Sequence, residues 1–183
     1  MILLLGASAS GKTEIAKYLS SHYGVSKAIT STTRLPREGE KNGVDYFFYS
    51  KSDFEERIGK GLFVEHTIYN GNYYGTGIDQ VSSKKCIVLD PTGIKAFQKL
   101  QNPSVVSFYL SASEDTRTKR MKERGDSLSN IHARIQNDRL IFAMNNIPPT
   151  DFTLKTDDRT IASLAKEIFE DYQTILKKKG IQI

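Results

Sequence analysis

The sequence predicts an α/β fold, a parallel sheet with helices packed on it. Short apolar runs alternate with segments of helical periodicity along most of the chain. The first run ends in a glycine-rich loop that leads straight into the first helical pattern. The length, 183 residues, suits one domain with insertions, and such a chain buries roughly 70% of its unfolded surface without staples.

The elements follow in order. Ile2, Leu3, Leu4 and Leu5 read as a buried strand; the start lacks the charged region of a signal peptide and turns at once into glycine and serine. Residues 14–23 form a helix with Ile15, Ala16 and Leu19 on one face. Residues 34–77 break the rhythm, being rich in glycine, tyrosine and charge. Strand-like pieces are expected at 46–49 and 63–65, with a short helix over 53–58 between them. The alternation then resumes. Strands at 86–89 and 105–110 are each followed by a helix, over 94–100 and 114–124. A last strand covers 151–154. Ile161, Leu164, Ala165, Ile168, Phe169, Tyr172, Ile175 and Leu176 keep the stripe of a long amphipathic closing helix. Residues 124–129 are an irregular, mobile-looking link between two arginine-bearing helices.

Composition excludes several classes. With 38% hydrophobic and 26% charged residues the chain is neither a disordered tail nor a membrane protein. Its longest apolar runs fall far short of the ~20 residues that span a bilayer. A single cysteine, Cys86, rules out an internal disulfide and fits a reducing compartment, so a cytoplasmic location is expected. Cys86 itself reads as a core position. His22, His66 and His132 show no metal-ligand spacing. The net charge of +5 suggests anionic partners without separating a polynucleotide from a mononucleotide.

Chemistry enters at Gly6-Ala7-Ser8-Ala9-Ser10-Gly11-Lys12-Thr13, which matches G-x-x-x-x-G-K-[ST] between a strand and a helix. Backbone N–H groups of such a P-loop face phosphate oxygens. Lys12 reaches the β- and γ-phosphates, and the Thr13 hydroxyl is a Mg²⁺ ligand. Downstream, Arg34 and Arg37 lie three positions apart, with Pro36 stiffening the link. Two cationic forks can hold one phosphate from two sides. Tyr46 and Tyr74, beside glycines, can donate hydroxyls to the same group, and Glu65 puts a carboxylate on a short apolar strand.

Taken together, these residues resemble guanylate kinase, over nearly the whole chain. The signatures are Ser31-Thr32-Thr33-Arg34-x-Pro36-Arg37, Gly39-Glu40-x-Asn42-Gly43-x-Asp45-Tyr46, Phe63-x-Glu65 and Gly71-Asn72-Tyr73-Tyr74-Gly75. The resemblance implies a P-loop NTPase core (1–33 and 77–183), an inserted mixed α/β GMP-binding domain (34–76) and a lid (124–139). It implies that Arg34, Arg37, Tyr46 and Tyr74 grip the GMP phosphate. It implies that Glu65 reads guanine, with Thr30, Thr76 and Asp90 nearby. Arg120, Arg124 and Arg134 match the lid and catalytic arginines, and Arg34 and Lys12 join them in the catalytic set. The implied reaction uses ATP with Mg²⁺ and turns GMP into GDP, dGMP being a further acceptor. Neither nucleic acid nor membrane is an expected partner, and the oligomeric state stays open.

The sequence also departs from the family pattern. Ala9 replaces a frequent third glycine of the loop. Val88 stands where a second acid usually precedes Asp90, removing a group that would lie behind Mg²⁺. The helix after Arg134 reads Asp138-Arg139-Leu140-Ile141 where a glutamate is common. Arg117 and Arg139 read as solvated surface charges. Thr156-Asp157-Asp158 matches either a segment near adenine or a helix start before Ile161. Two other functions stay open: a kinase of another small phosphorylated acceptor, and a non-catalytic guanylate-kinase-like module that binds phosphopeptides. The first would not need the paired tyrosines or Glu65, and the second usually degrades the P-loop.

Overall fold

The computed structural model describes residues 1–181, apart from the side chain of Met144. Strand β1 (Ile2–Leu5) runs into helix α1 (Lys12–Tyr23), followed by the short strands β2 (Ser26–Lys27) and β3 (Ser31–Thr32). Next come β4 (Phe47–Phe48), α2 (Lys51–Gly59), β5 (Phe63–Tyr69) and β6 (Asn72–Gly77). The chain returns through β7 (Lys85–Leu89), α3 (Pro91–Gln98), β8 (Val106–Ser111) and α4 (Glu114–Glu123). It ends with α5 (Leu128–Ile141), β9 (Phe152–Lys155) and α6 (Ile161–Lys178).

Five strands form a parallel sheet in the order β2-β7-β1-β8-β9. β1 lies in the middle, which is why all four of its residues are fully buried. Its side chains alternate between two core layers. Ile2 and Leu4 pack with Ile15 and Leu19 of α1 and Leu164, Ile168 and Tyr172 of α6. Leu3 and Leu5 pack with Ile94 and Phe97 of α3 on the other face. Each such residue contributes ~1.5–3 kcal/mol by leaving water, so this sandwich is the rigid base of the molecule.

A second sheet, ordered β4-β3-β6-β5, spans Ser31 to Gly77. It is mixed, since β3 runs parallel to β4 and antiparallel to β6. The sequence shows β6 only as a motif rich in glycine and tyrosine, yet it is a full strand paired with β5. The joint is Asn70-Gly71, both at positive φ (48° and 77°), the turn chemistry that matches a hairpin's twist. Helices α4 and α5 pack on each other through Met121, Ile131 and Ile135.

Candidate active site

The P-loop leaves the C-terminal end of the central strand, where parallel α/β sheets bind ligands. Only glycine fits at position 6. A Cβ there would lie 2.5 Å from the Leu110 carbonyl oxygen and 2.6 Å from Ser10 Oγ. Gly11 (φ 101°) precedes α1 and gives it no side-chain cap, so the first N–H groups of the helix stay open to an anion. Ala9 holds a left-handed φ of 59°, a strain of ~1–2 kcal/mol that glycine would not carry. A cavity of about 630 Å³ opens beside the loop, lined by Lys12, Thr13, Arg120, Arg124, Arg159 and Ile161.

Lys12 folds back on the loop. Its Nζ donates to the carbonyls of Gly6 (2.6 Å) and Ala7 (2.7 Å). Burial lowers its pKa to about 8, against the attraction of Asp138. Donor phosphates would restore the charged form. Nucleotide binding at pH 9 is therefore expected to take up most of one proton: the free lysine is about one-tenth protonated there, and the bound one nearly fully. Calorimetric titration with a nucleoside triphosphate in buffers of different ionisation enthalpy measures this. Zero uptake would mean that Lys12 does not meet the phosphates.

The second sheet gathers the other predicted residues. Arg34 is anchored through its N–H to Thr32 Oγ1 (3.1 Å), and its Nη2 donates to both Glu40 oxygens at 2.9 and 3.0 Å. Its guanidinium stands 5.5 Å from the centroid of the Tyr46 ring. Tyr46 and Tyr74 meet edge to face, ring centroids 6.4 Å apart. Glu40 holds the Arg34 pKa up most, and the Tyr74 hydroxyl beside it adds to this. Glu40 also accepts the Arg37 N–H at 2.7 Å, and these two donors hold its carboxyl below the usual range. The Arg37 side chain is exposed and makes no ion pair among the described residues. Glu40 thus acts as an internal anion for the Arg34 guanidinium and the Arg37 N–H.

Glu65 and Thr76 face each other across the hairpin. The Thr76 hydroxyl, fully buried, donates to Glu65 Oε1 at 2.6 Å. Burial raises the Glu65 pKa; the Thr76 bond opposes this, and the charge of Asp90 adds to it. Asp90 follows β7 and caps α3, its Oδ1 accepting from the Gly93 N–H at 2.7 Å. Thr30 sits half-buried just before β3, its carbonyl taking the Phe47 N–H at 2.9 Å.

The α4–α5 pair carries the remaining arginines. Arg124 and Arg134 both turn toward Asp126, at 2.5 Å and 4.0 Å. Arg124 holds the Asp126 carboxyl below its usual range. Arg120 lies deeper, at the base of the P-loop cavity, donating to the carbonyl of Ala9 (3.2 Å) and to Thr156 Oγ1 (3.1 Å) and its carbonyl. Arg139 is exposed and pairs with Glu114. Arg117 corrects the sequence reading. It is buried, not solvated, and its Nη1 donates to Asp138 Oδ2 at 2.6 Å. Asp157 is structural: it accepts from the Ser113 N–H and hydroxyl at the start of α4, while Thr160 caps α6. The Thr116 hydroxyl first, and then those Ser113 bonds, push the Asp157 pKa down to about 2.

Glu40, Asp126 and Asp138 are the partners that sequence reasoning missed. Glu40 stood in a quoted motif, and Asp138 sits three residues after Ile135 on a buried stripe, so each left a signal. Asp126 left only its place beside Gly125.

Comparison with known proteins identifies the family. The family model for guanylate kinase matches residues 1–172. The guanylate kinase of Neisseria gonorrhoeae is 33% identical over 168 residues, 86% of this chain and 80% of that protein. That of Trichormus variabilis is 38% identical over 144 residues, 74% and 72% of the two. Among solved structures, a guanylate kinase from Anaplasma phagocytophilum superposes with a TM-score of 0.60 at 23% identity, covering 95% of this chain and 85% of that one, a likeness of fold. With its P-loop intact and its second sheet carrying the arginine–tyrosine cluster, this chain belongs to the guanylate kinase family.

Proposed function

We propose that the chain transfers the γ-phosphoryl group of ATP to GMP, and to dGMP, giving ADP and GDP or dGDP. The observation that carries this is the pairing of Glu65 with Thr76 in the same sheet as the Arg34–Tyr46–Tyr74 cluster. That sheet offers a base reader and a phosphate grip together, as a nucleoside monophosphate requires.

ATP occupies the cavity beside the P-loop, its phosphates on the loop N–H groups and Lys12. The acceptor phosphate takes over Arg34 from Glu40, with Arg37, Tyr46 and Tyr74 completing the grip. Glu65 accepts from guanine N1–H and N2–H, and Thr30, Thr76 and Asp90 support the base. Segment 34–76 then works as the acceptor domain and 124–139 as the lid. Closure exchanges Asp126 for donor phosphates at Arg124 and Arg134, while Arg120 braces the base of the cavity. Charge spreading over the moving group meets fixed cations, so positioning and electrostatics suffice and no covalent intermediate is needed. Exclusion of water protects ATP from hydrolysis.

Mg²⁺ fits the residues present. Among the described residues no cluster of His, Cys, Asp and Glu could cage a metal, but Thr13 is exposed at the head of α1. A hydroxyl oxygen plus phosphates and water is the donor set that Mg²⁺ favours. When bound, the ion would neutralise charge on the β- and γ-oxygens. No described helix is long and apolar enough to cross a membrane, and the lone cysteine is free, which accords with work in a reducing cytoplasm.

Incubation with ATP labelled in the γ-phosphate tests the reading. The label is expected in GDP when GMP is present, with little free phosphate when it is absent. Label that stays in ATP would favour a binding module, and label in another small phosphorylated acceptor would favour a different kinase.

A further inference from the structure

The buried Arg117–Asp138 pair is unused by the chemistry above, yet it touches the P-loop. Asp138 Oδ2 accepts from Arg117 Nη1 at 2.6 Å and from the Ser8 N–H at 2.9 Å. Its Oδ1 accepts from Ser8 Oγ at 3.1 Å. One carboxylate therefore joins three elements: α5 through its own backbone, α4 through Arg117, and the phosphate loop through Ser8. The two side chains are only 7% and 8% exposed. Asp138 continues the buried stripe Ile131–Ile135, and Arg117 shares its helix face with buried Met121.

We infer that Asp138 is a positioning residue for phosphoryl transfer, pinning the base of the lid helices to the P-loop so that Arg134 swings over the phosphate that loop holds. Arg134 lies four residues earlier on α5, one turn away on the same side, so the pin that fixes Asp138 fixes the root of that arginine. The opposite reading makes the Asp138 carboxylate a plug that donor phosphates displace from Ser8. Burial argues against it, because displacement would strip a desolvated carboxylate of its two Ser8 hydrogen bonds in every turnover. Arg134, which must move, has the weaker attachment: it is half exposed and stands 4.0 Å from its partner.

This inference rests on the proposed GMP kinase reaction, so wild-type turnover is measured first; its absence would defeat that reading before this one is reached. In an active enzyme, Asp138→Asn is expected to lower kcat at least ~10-fold while the KM for GMP stays within about twofold. Arg134→Ala is expected to cost at least ~5-fold less in the Asp138→Asn background than in wild type, because a misplaced arginine has less to lose. Breaking one half of a buried pair can unfold a protein, so Arg117→Leu/Asp138→Leu, which removes both charges together, carries the same test. It too is expected to fold, to keep the KM for GMP and to lose kcat. The inference is overturned if the folded variants keep wild-type kcat, if kcat and GMP binding fall together, or if the cost of Arg134→Ala is unchanged.

Discussion

Lys12→Ala is expected to lower kcat by about a thousandfold while the KM for GMP changes by no more than about twofold. In the free protein Lys12 Nζ bridges the Gly6 and Ala7 carbonyls, and it is held beside the cavity that takes the donor phosphates. Both carbonyls belong to the loop, so in the proposed reaction the ammonium meets the γ-phosphoryl group as it passes. Removing one preorganised donor to a developing charge typically costs ~10²–10³ in kcat, and a full cation in a half-buried site belongs at the upper end. In the proposed reaction GMP meets the other sheet, 22 residues and more further along the chain, in Arg34, Tyr46, Glu65 and Tyr74, so its binding is expected to be untouched. Steady-state rates over a matrix of ATP and GMP concentrations measure both constants. Turnover near wild type would take the P-loop out of the mechanism.

Glu65→Gln is expected to lower kcat/KM for GMP by ~10²-fold and to leave the KM for ATP within about twofold. Guanine presents N1–H and the N2 amine side by side, two donors for one carboxylate. Thr76 already occupies Oε1 as a donor, which orients the group and leaves Oε2 without a hydrogen bond among the described residues. Glutamine keeps the shape but turns an N–H₂ toward a donor edge, so one bond is lost and a repulsion replaces it. pH works in the same direction. Burial raises the Glu65 pKa, so falling pH protonates it earlier than an exposed glutamate and weakens GMP binding. The variant, with no acid to titrate, is expected to lose that part of the pH dependence. IMP, which lacks the N2 amine, is expected to be a poor acceptor for the wild type and to suffer less from the substitution.

Much of this was legible in the chain itself, for identifiable reasons. Residues 2–5 read as a strand because a central parallel strand is apolar on both faces, and β1 is. The closing helix was visible because its stripe follows one helical face against one sheet face. The glycine and lysine of the P-loop were visible because their chemistry is local. The second sheet was harder. β3 and β4 are two residues each, too short for any periodicity, and Phe63–Tyr69 runs four residues past its apolar start because its outer half is exposed. The Asn70-Gly71 turn was the missed cue to β6. Long-range pairs were the least legible. Arg117 and Asp138 are 21 residues apart, and each alone resembles a surface charge. The sign that remained was a charged residue on an otherwise apolar helix face. The pairing of Glu65 with Thr76 likewise exists only through hairpin register, although both residues were singled out individually.

The ratio of kcat/KM for GMP to that for AMP in the unmodified protein tests the central claim most directly. Adenine turns an unprotonated N1 toward the place where guanine offers a donor, so the Glu65 carboxylate would face another acceptor and stay unpaired. A site built to hydrogen-bond a polar edge rejects the analogue lacking it by ~10⁴-fold. A ratio of that order, read from ADP release with each nucleotide, is the result this account predicts. Comparable use of the two acceptors would contradict it, and Glu65 would then not be the reader of the base.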